Sequence, residues 1–277
     1  MLREKLIGHH DHRNTWKPHE FRWRSREISR LEGLSDAVFG FAITLLIVAL
    51  EVPKTSGELL ETMRGFAAFG ITFTLLYLLW YRQFMFFRRY GLEDPPTVAL
   101  NGALLFVVLF FVFPLKFFIG AMMNRVLGGG KTIRLPNGTV ERVIQPGHLP
   151  VLMTIYGLGF TAVSLIFFLL YVHAYRKRED LDLNELEVFD TRRTLEGQLH
   201  TIVIGLFTVL LANVEVLTRA QPQPYQDKAL FAATGVFYVY MAFMIYRTRL
   251  KGKQRKAMVA GLAERVETAD TGSEFQS

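Results

Sequence analysis

The chain has 277 residues, of which 51% are hydrophobic and 21% charged, with 24 Phe, no Cys and a formal net charge of +7. So much Phe beside so little charge excludes an ordinary soluble domain, and the lack of cysteine excludes a disulfide framework and a thiolate metal site. In a soluble protein the positive balance would suggest nucleic acid or acidic partners. Here Lys and Arg cluster between apolar runs, which points to membrane topology and away from nucleic acid.

In chain order, residues 1–29 form a basic N-terminal segment, with 1–20 expected to be disordered. The first apolar run begins near residue 34. It is too long for a secretory signal, and Glu51-Val52-Pro53 is no small-residue cleavage site. Six apolar runs follow one another, at about 34–52, 66–87, 97–122, 149–174, 198–217 and 228–247. Each is about 19 residues or longer, and ~20 helical residues cross a ~30 Å hydrocarbon core. Backbone groups in lipid must be satisfied internally, and the runs lack the period-2 alternation of barrel strands, so they are predicted to be helices. The predicted fold is an all-α membrane protein. Residues 30–248 make a bundle of six transmembrane helices per subunit, and 249–277 form a basic tail.

The connections carry the orientation. Of the 32 Lys and Arg residues, 23 fall on one predicted side, including Arg22, Arg24, Arg88, Arg89, Arg176, Lys177 and the run Arg247 to Lys256. The positive-inside rule places both termini of this multi-pass protein in the cytoplasm, and an uninterrupted single-repeat chain suits a plasma membrane. The Gly-, Asn- and Pro-rich connection 123–148 is then external. The charged stretch 178–197 is expected to be a cytoplasmic helical connector lying along the bundle, and 249–268 a basic cytoplasmic helix.

Several motifs carry less than they promise. Gly128-Gly129-Gly130-Lys131-Thr132 resembles the end of a phosphate-binding loop, but Arg125 stands where the pattern needs Gly and no strand precedes it. His9, His10 and His12 cluster at a terminus, where such groups are usually incidental. No Ser/His/Asp, metal-ligand or paired-carboxylate constellation is legible, so no enzyme, metal or cofactor is expected.

The informative segment opens the first span, Arg30-Leu31-Glu32-Gly33-Leu34-Ser35-Asp36-Ala37-Val38-Phe39-Gly40-Phe41. One reading makes Ser35 and Asp36 the cap of the helix N-terminus. At about 100° per residue, Phe41, Leu45 and Val48 fall within about 60° of one another, with Thr44 beside them and Asp36 on nearly the opposite side. That stripe could face lipid, a neighbouring helix or a pore axis. Periodicity alone does not choose.

Arg-x-x-x-Leu-Ser-Asp followed by Ala-Val-Phe and Ile-Thr-Leu-Leu resembles the Arg-x-x-x-Phe-Ser-Asp signature that opens the first helix of the transmembrane protein 175 family, which are potassium channels. Trp80-Tyr81-Arg82-Gln83-Phe84 is similar to the Trp-x-x-His segment of the family's second helix. Asn101 through Phe113-Pro114 is similar to its third. The resemblance implies a homotetramer of six-span subunits that passes potassium ions through a central pore lined by the first helix. It implies an apolar constriction at Phe41, Leu45 and Val48, with Thr44 as the polar residue beside it. Arg30, Ser35 and Asp36 would form a structural network behind the pore, with Trp80 and Asn101 as partners. Leu34 replaces the signature Phe, Gln83 replaces the His, and Phe41 stands where the family usually has Ile or Leu. The constriction would gate by dewetting, without a carbonyl filter.

Two other readings compete. Lys116, His173, His200, Asn213 and Glu215 could form the proton or substrate path of a secondary transporter. The basic tails could serve a non-conducting scaffold at an anionic bilayer surface.

Overall fold

The computed structural model describes residues 21–25, 27–48, 54–126, 132–134, 140–142, 148–217, 246–247 and 250–261. Five long helices dominate: α1 (Arg30–Val48), α2 (Ser56–Tyr90), α3 (Pro95–Val126), α4 (Leu149–Arg176) and α5 (Glu185–Leu217). Residues 250–261 add a shorter basic helix, within the expected 249–268. Among the described residues, three helical stretches are long and apolar enough to cross a bilayer by length and composition, at Pro95–Ala121, Pro150–Arg176 and Glu185–Val214. The sixth apolar run, 228–247, lies outside the described residues apart from its last two, as do residues 1–20, 269–277 and the Gly-rich stretch 127–131.

The bundle is helical, as expected. The 123–148 connection adds a short hairpin, in which strands β1 (Thr132–Arg134) and β2 (Val140–Arg142) pair antiparallel, with Ile133 opposite Glu141. One expectation needs correction: the charged stretch 178–197 is not a separate connector helix. Residues 177–182 form a turn, and from Glu185 one continuous helix runs through the charged part into the apolar span. Asn184 caps this helix: its Oδ1 accepts the Glu187 N–H at 2.8 Å, and Glu187 Oε2 accepts the Asn184 N–H at 3.1 Å. With both terminal donors satisfied in that reciprocal way, nothing in the sequence interrupts the helix before Leu217.

α3 is the central column and packs against α1, α2 and α4, while α5 packs along α4. The core joins Phe39, Ala42 and Leu46 of α1 to Phe86 and Tyr90 of α2, to Leu104, Val108 and Val112 of α3, and to Phe167 and Leu170 of α4. The α4–α5 contact depends on small residues. A Cβ on Gly157 would stand 2.6 Å from Val209 Cγ2, and one on Gly205 would collide with Thr161 Oγ1. Between helices in lipid there is little hydrophobic drive, so close backbone approach of this kind supplies the packing energy.

At one end of the bundle, Phe86 and Tyr90 meet Tyr171 edge-on, with ring centroids 5.3 and 5.7 Å away. The Tyr90 and Thr191 hydroxyls are 2.7 Å apart, which ties α2 to α5. α2 stops at Gly91, whose φ of +59° reverses the chain. A Cβ there would lie in ordinary contact with Arg24 and Ser25, so it is the turn that calls for glycine.

Candidate functional site

α1 begins at a reciprocal cap. The Glu32 N–H donates to Ser29 Oγ at 3.1 Å, and the Ser29 N–H donates to Glu32 Oε2 at 3.1 Å. This capping box corrects the reading of Ser35 and Asp36 as the cap. The helix starts more than a turn earlier, so those two residues sit within it, committed to side-chain contacts with neighbouring helices.

From that start the helical repeat sorts the residues onto two faces. Glu32, Ser35, Phe39, Ala42 and Leu46 share one face and are buried. Leu34, Ala37, Phe41 and Thr44 share the other and are exposed. Phe41 is 57% exposed in the single protomer. Leu45 lies at the margin and is half-buried, and the side chain of Val48 falls outside the described residues. The Thr44 hydroxyl donates to the Phe41 carbonyl at 2.8 Å. Its proton is thereby used, and its lone pairs stay on the exposed face.

Behind α1 runs a buried relay through three helices. Ser35 Oγ donates to the Leu31 carbonyl at 2.8 Å and accepts from Asn101 Nδ2 at 2.9 Å. Asn101 Oδ1 accepts in turn from Gln83 Nε2. One turn along α2, Trp80 Nε1 donates to Asp36 Oδ1 at 2.7 Å. The five residues expected to form one network therefore fall into two pairs, Ser35 with Asn101 and Asp36 with Trp80. Arg30 is exposed at the first position of α1 and joins neither pair. Gln83 is the member that sequence reasoning missed. It was noticed only as a replacement for His, yet its amide closes the relay between α2 and α3. The available signal was an uncharged amide amid the apolar run of α2, one turn after Trp80.

Both ends of α1 are held. Near its C-terminus, Lys116 of α3 donates from Nζ to the Leu46 carbonyl at 2.9 Å. This satisfies an acceptor in the last turn and places a cation at the negative end of the helix dipole. Ahead of its N-terminus, residues 21–25 cross the bundle end, where the Arg24 N–H donates to the Arg88 carbonyl at 3.0 Å. Arg24 Nη2 and Arg22 Nη2 reach Glu187 Oε2 at 2.7 and 3.3 Å, and the Arg22 N–H donates to Glu187 Oε1 at 2.8 Å. Glu187 is fully buried, so these donors supply what water would otherwise give it. Hydrogen bonding to Glu187, opposed by partial burial, holds the Arg22 guanidinium above its ordinary pKa.

A second ion cluster closes the turn between α2 and α3. Asp94 Oδ2 meets His173 Nε2 at 2.6 Å and Lys177 Nζ at 2.8 Å, and Asp94 Oδ1 accepts from Thr97 Oγ1 at 2.5 Å. Burial works against the Asp94 charge, yet hydrogen bonds from Lys177, Thr97 and His173 hold its carboxyl well below the usual carboxylate range.

Among the described residues, those of the transporter reading do not converge on one path. Lys116 caps α1 and His173 belongs to the Asp94 cluster. Asn213 Nδ2 donates to Thr154 Oγ1 and to the Val209 carbonyl, both at 2.8 Å. His200 is half-buried on α5, and the side chain of Glu215 lies outside the described residues.

Comparison with known proteins bears on the same segment. Residues 30–112 match the family described as endosomal/lysosomal potassium channel TMEM175. A potassium channel of Marivirga tractuosa is 32% identical over 242 residues, covering 86% of this chain and 94% of that protein. A potassium channel of Chamaesiphon minutus is 28% identical over 156 residues, covering 53% of this chain and 66% of that protein. Among solved structures, a variant of the potassium channel MtTMEM175 in complex with a Nanobody-MBP fusion protein superposes with a TM-score of 0.68 at 32% identity. That match covers 84% of this chain and 97% of the channel. These likenesses support potassium-channel function and leave the transporter reading without support. The matched region contains the first turns of α1, its exposed Phe41 stripe and the Ser35–Asn101–Gln83 relay, and the chain belongs to the TMEM175 potassium-channel family.

Proposed function

We propose that the protein conducts potassium passively through a central pore on the axis of a homotetramer, with α1 of each subunit lining that pore. The carrying observation is the division of α1 into two faces. The Glu32, Ser35, Phe39, Ala42 and Leu46 face is buried against the rest of the protomer, while the Leu34, Ala37, Phe41 and Thr44 face is left open. A helix fixed by one face and bare on the other can present identical residues to a symmetry axis. Four Phe41 side chains, with Leu45 and Val48 beyond them, would form apolar rings that exclude water when closed and pass hydrated cations when slightly widened. Thr44 would offer hydroxyl lone pairs within that constriction. Without a carbonyl filter, selectivity rests on pore width and those few polar groups. Arg30, at the mouth of α1, would stand near the axis of such an assembly.

In this reading residues 30–248 form the channel unit, with a sixth span at 228–247. Both termini lie in the cytoplasm of a plasma-membrane protein. The test is potassium flux through the purified chain in liposomes. Wild-type protein should carry potassium current that reverses near the potassium potential, and Phe41→Ala should raise it or make the pore leaky. The proposal fails if no current passes and Phe41→Ala changes nothing.

A further inference from the structure

Arg82 is exposed on α2, and its guanidinium lies 5.3 Å from the centroid of the Phe167 ring on α4. Among the described residues it forms no ion pair and no hydrogen bond. The face of Phe167 attracts the charge but offers no lone pair, so the N–H donors of the guanidinium stay unused. No carboxylate is at hand on the two helices that carry the pair. Residues 62–90 of α2 and the whole of α4 contain neither Asp nor Glu. Arg82 also precedes Arg89 by two turns, which sets it ~10 Å further along α2 toward the bilayer centre. A guanidinium at that depth is costly unless an anion meets it.

Past Arg82 the surface changes character. Phe86 meets Tyr171 at 5.3 Å one turn beyond the Arg82–Phe167 contact on both helices, so α2 and α4 run parallel here with their facing sides in register. Phe86 and Phe167 are fully buried and close the furrow between the helices at this end. Two turns the other way, Leu75 of α2 and Phe160 of α4 occupy the same two faces, and they are 42% and 53% exposed. Leu78, between Leu75 and Arg82, is exposed as well. An open apolar track thus leads from an unpaired cation into the depth of the bilayer.

We infer that this furrow holds one phospholipid per subunit, with its phosphodiester on Arg82 and an acyl chain lying over Leu78, Leu75 and Phe160. The inference rests on the reading above that α2 spans the bilayer. Charge and shape select the ligand together. The guanidinium fork matches two phosphate oxygens, and its long stem lets it rise toward headgroup level. A soluble anion would gain nothing from the apolar track, whereas an acyl chain covers it. The lipid joins α2 to α4, two helices whose backbones stay largely apart.

The test uses purified full-length protein in dodecyl maltoside, titrated with palmitoyl-oleoyl phosphatidylglycerol. Bound lipid is counted by native mass spectrometry while Tm is followed. Wild type should retain lipid and show a saturable rise in Tm. Arg82→Gln should weaken that response about tenfold, because charge-assisted bonds to the phosphate are lost. Arg82→Lys keeps the charge without the fork and should fall between the two. Inorganic phosphate alone should give no rise, and Lys256→Gln, on the basic helix 250–261, should respond as wild type. An Arg82→Gln protein as responsive as wild type overturns the site. So does inorganic phosphate that matches the lipid, or an equal loss in Lys256→Gln, which would make the effect bulk charge attraction. Dissociation of the Arg82→Gln oligomer with bound lipid unchanged would assign the furrow to a second copy of the chain and overturn it too. If Arg82→Gln does not fold, Leu75→Trp decides, since it narrows the track and leaves Arg82 in place; unchanged lipid affinity there refutes the proposal. None of these readouts needs ion flux, so failure of the lipid site and failure of the pore are separable.

Discussion

Asn101→Leu probes the relay that seats α1. Asn101 is fully buried on α3, and its side chain donates to Ser35 Oγ at 2.9 Å and accepts from Gln83 Nε2. Leucine keeps the bulk and removes both bonds. Hydrogen bonds between membrane helices average ~0.6 kcal/mol each and reach ~1.7 kcal/mol. The two bonds together are therefore worth roughly 1–3 kcal/mol. Ser35 loses little else, since its hydroxyl still donates to the Leu31 carbonyl at 2.8 Å. Gln83 is 2% exposed and keeps an amide donor with nowhere to go, which adds about 1–3 kcal/mol. The expected loss is about 2–6 kcal/mol, shared between the two bonds and the stranded Gln83 amide. That attribution has its own test. Gln83→Leu strands the Asn101 carbonyl and should cost about 1–3 kcal/mol. The double variant leaves no unpaired amide, so it should be milder than the sum of the singles by at least ~1 kcal/mol. Reversible unfolding in detergent measures all three. An Asn101→Leu protein within ~0.5 kcal/mol of wild type, or strict additivity in the double variant, would refute the reasoning.

Other contacts give sharper single readings. Glu187→Gln leaves Arg24, which is 16% exposed, with a neutral partner. It should lower stability by about 3 kcal/mol and free residues 21–25, seen as faster amide exchange at Arg24 with little change in the apolar core. Gly205→Leu drives a side chain into Thr161 and the Gly157 carbonyl. It should cost about 1–3 kcal/mol and weaken α4–α5 packing, whereas Gly252→Leu, in open space, should be neutral in the same melting assay. For Asp94 the folded carboxyl titrates below its unfolded value of ~3.9. Its contribution is thus complete above that pH and is lost as the medium falls through it toward the lower folded value. An acid titration of wild-type Tm should steepen below about pH 4, and Asp94→Asn should remove that steepening. Equal acid sensitivity in both proteins would show that other carboxylates govern it.

The helices were legible because length and hydropathy leave a bilayer-spanning segment few options. The family resemblance names Trp80 and Asn101 as partners of the Ser35–Asp36 segment, and both contacts are present; hydropathy and periodicity by themselves give no sign of polar chemistry between helices. Ser35, Gln83 and Asn101 are separated by up to 66 positions, and no local pattern announces that their amides and hydroxyl meet. The cap of α1 shows the same limit in reverse. Ser29-x-x-Glu32 is a readable capping box, but apolar character begins only at residue 34, which drew attention to Ser35 and Asp36. The fusion of the 178–197 stretch with α5 was hidden because helix continuity depends on caps, and Asn184 announces a start while nothing announces an end. The resemblance implies a place for Arg30 in the network, but as the first helical residue it is exposed and lies beyond the buried face that organises the others.

These particulars share one mechanical arrangement. α1 is short beside α2, α3, α4 and α5 and, among the described residues, packs chiefly against α2 and α3. It has one buried face, and its position is set by polar ties at discrete heights. Ser35 and Asp36 bind it to α3 and α2 in its second turn, Lys116 holds its last turn, and the Arg22–Arg24–Glu187 clamp fixes the chain that enters it. Apolar packing of Phe39, Ala42 and Leu46 between those ties resists separation but permits small rotations, because dispersion contacts lack direction. Directional bonds at the two ends with nondirectional packing between them make a helix whose middle can turn slightly while its ends stay put. Phe41 and Thr44 lie in that middle section. In the proposed tetramer, a gate made of apolar rings would need only a small change in radius to wet, and the polar ties at the two ends of α1 would set where that change is made.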